Sequence, residues 1–345
     1  MDCKVEKSKI KGEIVCPSNK SYTHRGIFLA SLAGNNSRIE NILLSADTKA
    51  TIEACKKFGA IIKVENSTII VKESIKIGTN VPEINTENSG TTIRIAIGIA
   101  SLFSEEITLT GDESIQKRPM QPLLDALSSI GAKCISTDGK PPIKIKGQIT
   151  GGDITIPGNL SSQFISSLLI TAPLTKKGSM GNLPQGDEAF IDFLEQLGVS
   201  VIIDNDEIKI KSPEKLKGGV FDLRNSPDLL PPLAILSLIS SNPIEIVNVK
   251  HARLKETDRI AILARELPKI GINVEEKEDG LILESSNKLI GANLDSENDH
   301  RLFMAFCIAG TYIGNCTVTD SESVKVSYPN FIEEMNRLGA KIQKL

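Results

Sequence analysis

The sequence predicts an α/β protein of two domains, built from repeated βαβαββ units. Three observations carry this prediction. One phrase recurs five times, as Phe58-Gly59-Ala60, Ile130-Gly131-Ala132, Leu197-Gly198-Val199, Ile270-Gly271-Ile272 and Leu338-Gly339-Ala340. Its glycines lie 72, 67, 73 and 68 residues apart, and a period that steady marks a structural repeat. Finally, the fifth copy stops at Leu345 without a closing strand, while the strands at 4–10 and 12–16 have no helix before them.

Each element follows from local pattern. Ahead of the glycines, Ile52, Cys55 and Phe58 recur at helical spacing, as do Leu123, Leu127 and Ile130. The same holds for Phe190, Phe193 and Leu197, for Leu263, Leu267 and Ile270, and for Phe331, Met335 and Leu338. Each set is one apolar helical face, and the glycine after it is a C-cap. Strands then follow, as at 60–64 and 132–135, with a polar turn and a second strand at 68–72, 143–146, 207–211 or 281–284. Earlier in each unit lies another apolar helix, at 26–33, 93–103, 164–174, 233–239 or 302–313. Strands such as 106–110, 243–249 and 316–319 link the two helices. The N-terminal strands complete the last unit. Residues 1–16 therefore join 213–345 in a C-terminal domain of two units, and 17–212 form an inserted domain of three.

Composition narrows the function. A chain of 345 residues with 40% hydrophobic residues is ordinary for a two-domain globular protein. No stretch is apolar enough to span a membrane, and the start lacks a signal-peptide pattern, so a cytoplasmic location is expected. The six cysteines form no CxxC pair and read as reduced thiols. A net charge of −3, 4% aromatics and no Trp argue against nucleic-acid or membrane binding. The three histidines lack ligand spacing, so no metal is expected, and no cofactor motif appears.

The cations are phased with the repeat. First helices open with Ser18-Asn19-Lys20-Ser21…Arg25, Asn88-Ser89-Gly90-Thr91…Arg94, Ser161-Ser162-Gln163 and Asn298-Asp299-His300-Arg301. Another opens with an acid, Asp228. Second helices open with Lys117-Arg118-Pro119 and Lys255-Glu256-Thr257-Asp258-Arg259. Helix N-termini present free N–H groups and partial positive charge, so added Lys, Arg and Ser make anion sites. A cap alone explains Ser or Asn before an apolar run; it does not explain recurrent Arg and Lys. With parallel helices these ends face one cleft, suited to a multiply anionic substrate. Within it, Asp228 and Glu256 can serve as base or acid. A plain i,i+3 pair of Glu256 with Arg259 is the alternative reading.

These same motifs, in this order from Lys20 to Arg301, resemble those of 5-enolpyruvylshikimate-3-phosphate (EPSP) synthase. The resemblance implies an inside-out α/β barrel in each of two domains, which close on phosphoenolpyruvate and shikimate 3-phosphate. It implies transfer of the enolpyruvyl group with release of phosphate, without a cofactor, by an enzyme expected to be a monomer. By matched positions, Lys20, Arg94, Arg118, Gln163, Arg259 and Arg301 would hold phosphoenolpyruvate, and Gly90, Thr91, His300 and Lys325 would also bind substrate. Lys20, Ser21, Arg25, Ser161, Ser162, Asp228 and Lys255 would hold shikimate 3-phosphate. Asp228 would take the 5-hydroxyl proton, Glu256 would move protons at the methylene carbon, and Lys20 would assist both. UDP-N-acetylglucosamine enolpyruvyl transferase shares the fold but carries a reactive cysteine where 111–117 has none.

Three departures stand out. The family has six units against five here, the missing one expected between Gly198 and Gly271. A family serine and tyrosine fall at Asp187 and Phe190, with Gln185 as a substitute for the serine. A family asparagine falls at His251, and a late lysine at Val326 with Lys325 adjacent. The alternative functions are a degenerate anion-binding homologue without turnover and an enzyme like UDP-N-acetylglucosamine enolpyruvyl transferase.

Overall fold

In each complete sheet of this protein the strand that closes the repeat is an inner one. The computed structural model describes all residues except 34–35, 82, 155, 157–160, 176–188, 205–206, 214 and 287, and the backbone alone for 203–204 and 207–209. The chain opens with strand β1 (Cys3–Glu6), then helix α1 (Lys20–Ala33), β2 (Ser37–Ile39), α2 (Ala46–Lys57), β3 (Ile61–Glu65) and β4 (Thr68–Glu73). These three later strands form a sheet of order β2-β4-β3. The next repeat has β5 (Glu83–Asn85), α3 (Gly90–Ala100), β6 (Ile107–Thr110), the single turn α4 (Glu113–Gln116), α5 (Gln121–Ser129), β7 (Lys133–Thr137) and β8 (Lys140–Lys146). Its order is β5-β6-β8-β7, with β5 parallel to β6 and β8 antiparallel to both neighbours.

Helix α6 (Ser162–Thr171) follows, and beyond the undescribed stretch come α7 (Ala189–Gln196) and the hairpin β9 (Ser200–Asp204) and β10 (Glu207–Lys211). Then β11 (Gly219–Asp222), α8 (Leu230–Leu236), β12 (Ile244–Val247), α9 (Arg259–Glu266), β13 (Ile272–Lys277) and β14 (Gly280–Ser285) give the order β11-β12-β14-β13. The chain ends with β15 (Asn293–Leu294), α10 (His300–Ile313), β16 (Cys316–Val318), α11 (Phe331–Arg337) and β17 (Lys341–Lys344). Their order is β15-β16-β1-β17, so β1 takes the place that β8 and β14 hold elsewhere. Cys3 and Val5 of β1 are fully buried, and a Cβ on Gly310 of α10 would lie 3.0 Å from Val5.

The repeat glycines have the backbone their place requires. Gly59, Gly131, Gly198, Gly271 and Gly339 have φ of 100, 110, 89, 91 and 101°, the left-handed region where a side chain is strained. Four of the cysteines are buried, Cys134 is intermediate, Cys16 is exposed, and none is paired. Among the described residues no helix is long and apolar enough to cross a membrane.

The chain forms two compact units, Cys16–Leu183 and Met1–Val15 with Pro184–Leu345. The boundary expected at 212 is therefore displaced to 183/184. Leu197 and Val199 are buried in the core that includes Phe221, Leu233 and Phe303, and Phe190, Phe193 and Leu194 pack against it. Phe193 meets Phe221 edge-on, with centroids 5.5 Å apart. The hairpin β9–β10 and helix α7 belong to the C-terminal unit, and the third repeat of the inserted domain is not complete within its own unit. Its first helix, α6, packs on the N-terminal core through Phe164 and Ile170.

Candidate active site

In the N-terminal unit, a close helix crossing builds the site. A Cβ on Gly98 would lie 2.4 Å from Ser167 Oγ and 3.1 Å from its carbonyl oxygen, so only glycine lets α3 approach α6 this closely. One turn back, Arg94 Nη1 donates to Gln163 Oε1 at 2.5 Å, and Gln163 Nε2 donates to Thr91 Oγ1 at 2.8 Å. The Arg94 guanidinium stands 5.4 Å from the Phe164 ring centroid, a cation–π contact. Gly90 opens α3, and a Cβ there would meet Arg118 Nη1 at 2.6 Å and Arg94 Nη1 at 3.2 Å. The bare backbone thus admits two guanidiniums at a helix N-terminus, where N–H groups also point outward. Arg118 is buried and donates from Nη2 to Ser114 Oγ at 3.1 Å.

Helix α1 brings the remaining cations of this unit. Asn19 Oδ1 accepts from the Tyr22 amide at 2.9 Å, which fixes the start of α1 at Lys20. Lys20 Nζ lies 2.8 Å from Asp47 Oδ2 on α2. Arg25 Nε and Nη2 each donate to Ser166 Oγ at 3.3 Å, and that hydroxyl donates to the Ser162 carbonyl at 3.2 Å. Burial pulls the Arg25 guanidinium below its usual range, the mark of a cation desolvated more than it is compensated. Ser161 caps α6 by accepting from the Gln163 amide at 3.3 Å. Ser21 is half-buried and Ser162 exposed.

In the C-terminal unit one fully buried guanidinium gathers three carboxylates. Arg259 Nη1 donates to Asp228 Oδ1 at 2.7 Å, Nη2 to Glu256 Oε2 at 2.6 Å, and Nε to Asp299 Oδ2 at 2.7 Å. Asp299 is also the N-cap of α10, accepting from the Arg301 amide at 2.9 Å. Burial opposes the charge on Arg259, but Asp299, Glu256 and Asp228 outweigh it and raise its pKa. Asp228 receives Arg301 Nη2 at 3.1 Å and lies 3.6 Å from Lys255 Nζ. Burial alone would raise the Asp228 pKa; Arg301, Lys255 and Arg259 overcome it and hold the carboxyl well below its usual range. Its side chain remains 30% exposed, and that of Glu256 23%. His251 lies half-buried nearby, its pKa lowered by burial and Lys255 against the pull of Asp228.

The sequence model of the EPSP synthase (3-phosphoshikimate 1-carboxyvinyltransferase) family matches residues 5–183 and 180–335. The chain belongs to the EPSP synthase family. The 3-phosphoshikimate 1-carboxyvinyltransferase of Nitrosopumilus maritimus (strain SCM1) is 66% identical over 420 aligned positions, which cover 99% of this chain and 100% of the relative. That of Methanococcus maripaludis (strain C5) is 37% identical, covering 97% and 98%. The solved EPSP synthase of Acinetobacter baumannii shares the fold, with a TM-score of 0.79 at 23% identity over 99% of this chain and 100% of that one. The alignment with the Nitrosopumilus relative has 420 positions against the 345 residues of this chain. The two matched segments of the EPSP synthase model meet at 180–183, where the chain leaves one compact unit for the other.

The residues expected from the EPSP synthase motifs group by unit. Lys20, Ser21, Arg25, Gly90, Thr91, Arg94, Arg118, Ser161, Ser162 and Gln163 belong to the N-terminal unit; Asp228, Lys255, Glu256, Arg259, His300, Arg301 and Lys325 belong to the C-terminal unit. Glu256 and Arg259 form their i,i+3 pair. Lys325 is exposed on the turn Ser321–Val326 and pairs with Glu322 of that turn. Phe190, where the family tyrosine falls, packs against the core of the C-terminal unit. Asp187 and Gln185 lie outside the described residues. The sequence assigns no role to Asp47, nor to Asp299 within its motif, because an acid at a helix start is ordinary. Their cationic partners, 27 and 40 residues away, leave no local signal.

Proposed function

We infer that this chain transfers the enolpyruvyl group of phosphoenolpyruvate to the 5-hydroxyl of shikimate 3-phosphate. The observation that supports this best, beside family membership, is the Arg259 cluster. It holds two partly exposed carboxylates on one buried guanidinium. In the addition step the 5-hydroxyl oxygen bonds to C2 of phosphoenolpyruvate while its methylene carbon gains a proton. In the elimination step the C2–O bond to phosphate breaks and the methyl carbon gives a proton back. Asp228, kept anionic by Arg301, Lys255 and Arg259, accepts the hydrogen bond and then the proton of the hydroxyl. Glu256 donates and retrieves the proton at carbon, which general acid–base catalysis requires. Arg259, already shared among three carboxylates, orients them. Lys20, Arg25, Ser161 and Ser162 bind shikimate 3-phosphate, and Arg94, Arg118, Gln163 and Arg301 bind phosphoenolpyruvate.

The shorter chain has a specific architecture in this reading. The gap relative to the family falls near residue 183 and spans about one repeat, removing the second half of one repeat and the first half of the next. Each compact unit then holds two and a half βαβαββ repeats. A coupled phosphate-release assay with both substrates tests the function; no phosphate above background from a folded sample overturns it. The missing half-repeats favour one other reading, an anion-binding homologue without turnover. It would bind shikimate 3-phosphate and release no phosphate.

A further inference from the structure

A chain of buried side chains ties three helices together one turn in from their N-termini. His24 on α1, Thr51 on α2 and Thr92 on α3 are fully buried. His24 Nδ1 lies 2.6 Å from Thr51 Oγ1, Thr51 Oγ1 lies 2.7 Å from Thr92 Oγ1, and Thr92 Oγ1 donates to Ser89 Oγ at 2.6 Å. Each hydroxyl has one proton to give. The chain therefore runs in one direction, from an Nδ1-protonated imidazole to the N-cap of α3. Burial, with Lys20 and Arg25 nearby, holds the ring neutral, as that tautomer needs. His24 Nε2 meets no hydrogen-bond partner among the described residues, and a buried nitrogen left so costs stability. Four residues before His24 stands Lys20, and four before Thr51 stands Asp47, joined at 2.8 Å. After Ser89 come Gly90 and Thr91.

We propose that His24 is a positioning residue for enolpyruvyl transfer: through Thr51 and Thr92 it sets where the Lys20 ammonium and the N-terminus of α3 stand. The inference rests on the function proposed above. Small displacements of such groups cost rate: a misplacement of about 1 Å can cost on the order of 10²-fold. The test compares His24→Leu, His24→Asn and Thr51→Val with the unsubstituted protein. Steady-state turnover and calorimetric affinity for shikimate 3-phosphate are both measured well below each thermal midpoint. Asn places an N–H where Nδ1 was, so it should stay within about threefold, while Leu and Val fall roughly 10- to 100-fold in kcat/KM. In a Lys20→Ala background, His24→Leu should then add little. Leu and Asn equal in effect, or a full additional loss in the Lys20→Ala background, overturns the proposal. If the unsubstituted protein has no turnover, the function fails, and the same comparison of affinities still decides the role of His24.

Discussion

Glu256 and Asp228 share one guanidinium, yet their surroundings differ. Asp228 has three cations on it and is anionic at any ordinary pH; Glu256 has Arg259 as its close cation. Glu256→Gln keeps the shape and a hydrogen bond but cannot carry a proton, so turnover should fall roughly 10²–10⁴-fold. Affinity for shikimate 3-phosphate, measured by calorimetry, should change little. Unchanged turnover would reduce Glu256 to an ion-pair partner. Arg259→Met is a different case, because Asp299 is wholly buried. Breaking a buried pair from one side costs about 3–5 kcal/mol, to be seen as a lower midpoint in chemical unfolding. His24 adds a pH dependence. Its folded pKa is well below the ordinary 6.5, so below pH 6.5 the unfolded chain takes up a proton that the folded one refuses. Stability is then full above that pH and declines on acidification, and His24→Leu should flatten that limb. An equal slope in both proteins would refute the assignment.

At the scale of elements, the repeat was legible and the join was not. The five glycines, the helices before them and the hairpins after the first four stand where the periodicity places them, because each signal is local. The pairing of the chain's start with its last sheet was legible too, but only β1 forms, ending at Glu6, and the strand expected at 12–16 is absent. The division at 183/184 was hidden for a physical reason. α6 is followed by α7 as a first helix is followed by a second in any repeat, so the period runs unbroken across it. Apolar faces say that a helix is buried and not in which core. The candidate site was legible as phased cations; the tertiary contacts of His24, Asp47 and Asp299 were not. The placement of β1 yields a prediction. Removing residues 1–6 takes the strand between β16 and β17, with the fully buried Cys3 and Val5. Emptying such core positions costs about 2–5 kcal/mol for each large side chain lost, before the ladder is counted. The C-terminal unit should unfold at a lower temperature while the N-terminal unit keeps its own transition. One unshifted transition in calorimetry would show β1 to be dispensable.

For the whole molecule, two cores and one proposed reaction make ligand-linked unfolding informative. The expected anchors for shikimate 3-phosphate in Lys20, Arg25, Ser161 and Ser162 lie in the N-terminal unit. A ligand that binds only folded protein stabilises it by RT ln(1 + [L]/Kd), about 2.7 kcal/mol at a hundredfold excess over Kd. Shikimate 3-phosphate should therefore raise the transition of the N-terminal unit first. Arg25→Ala should abolish most of that rise, because it removes the guanidinium that burial has left under-compensated. Scanning calorimetry, with the β1 truncation to mark which transition is which, separates the cases. A rise confined to the C-terminal transition would move the phosphate site to the Arg301 side. No rise at saturating ligand would mean that these residues do not recognise shikimate 3-phosphate.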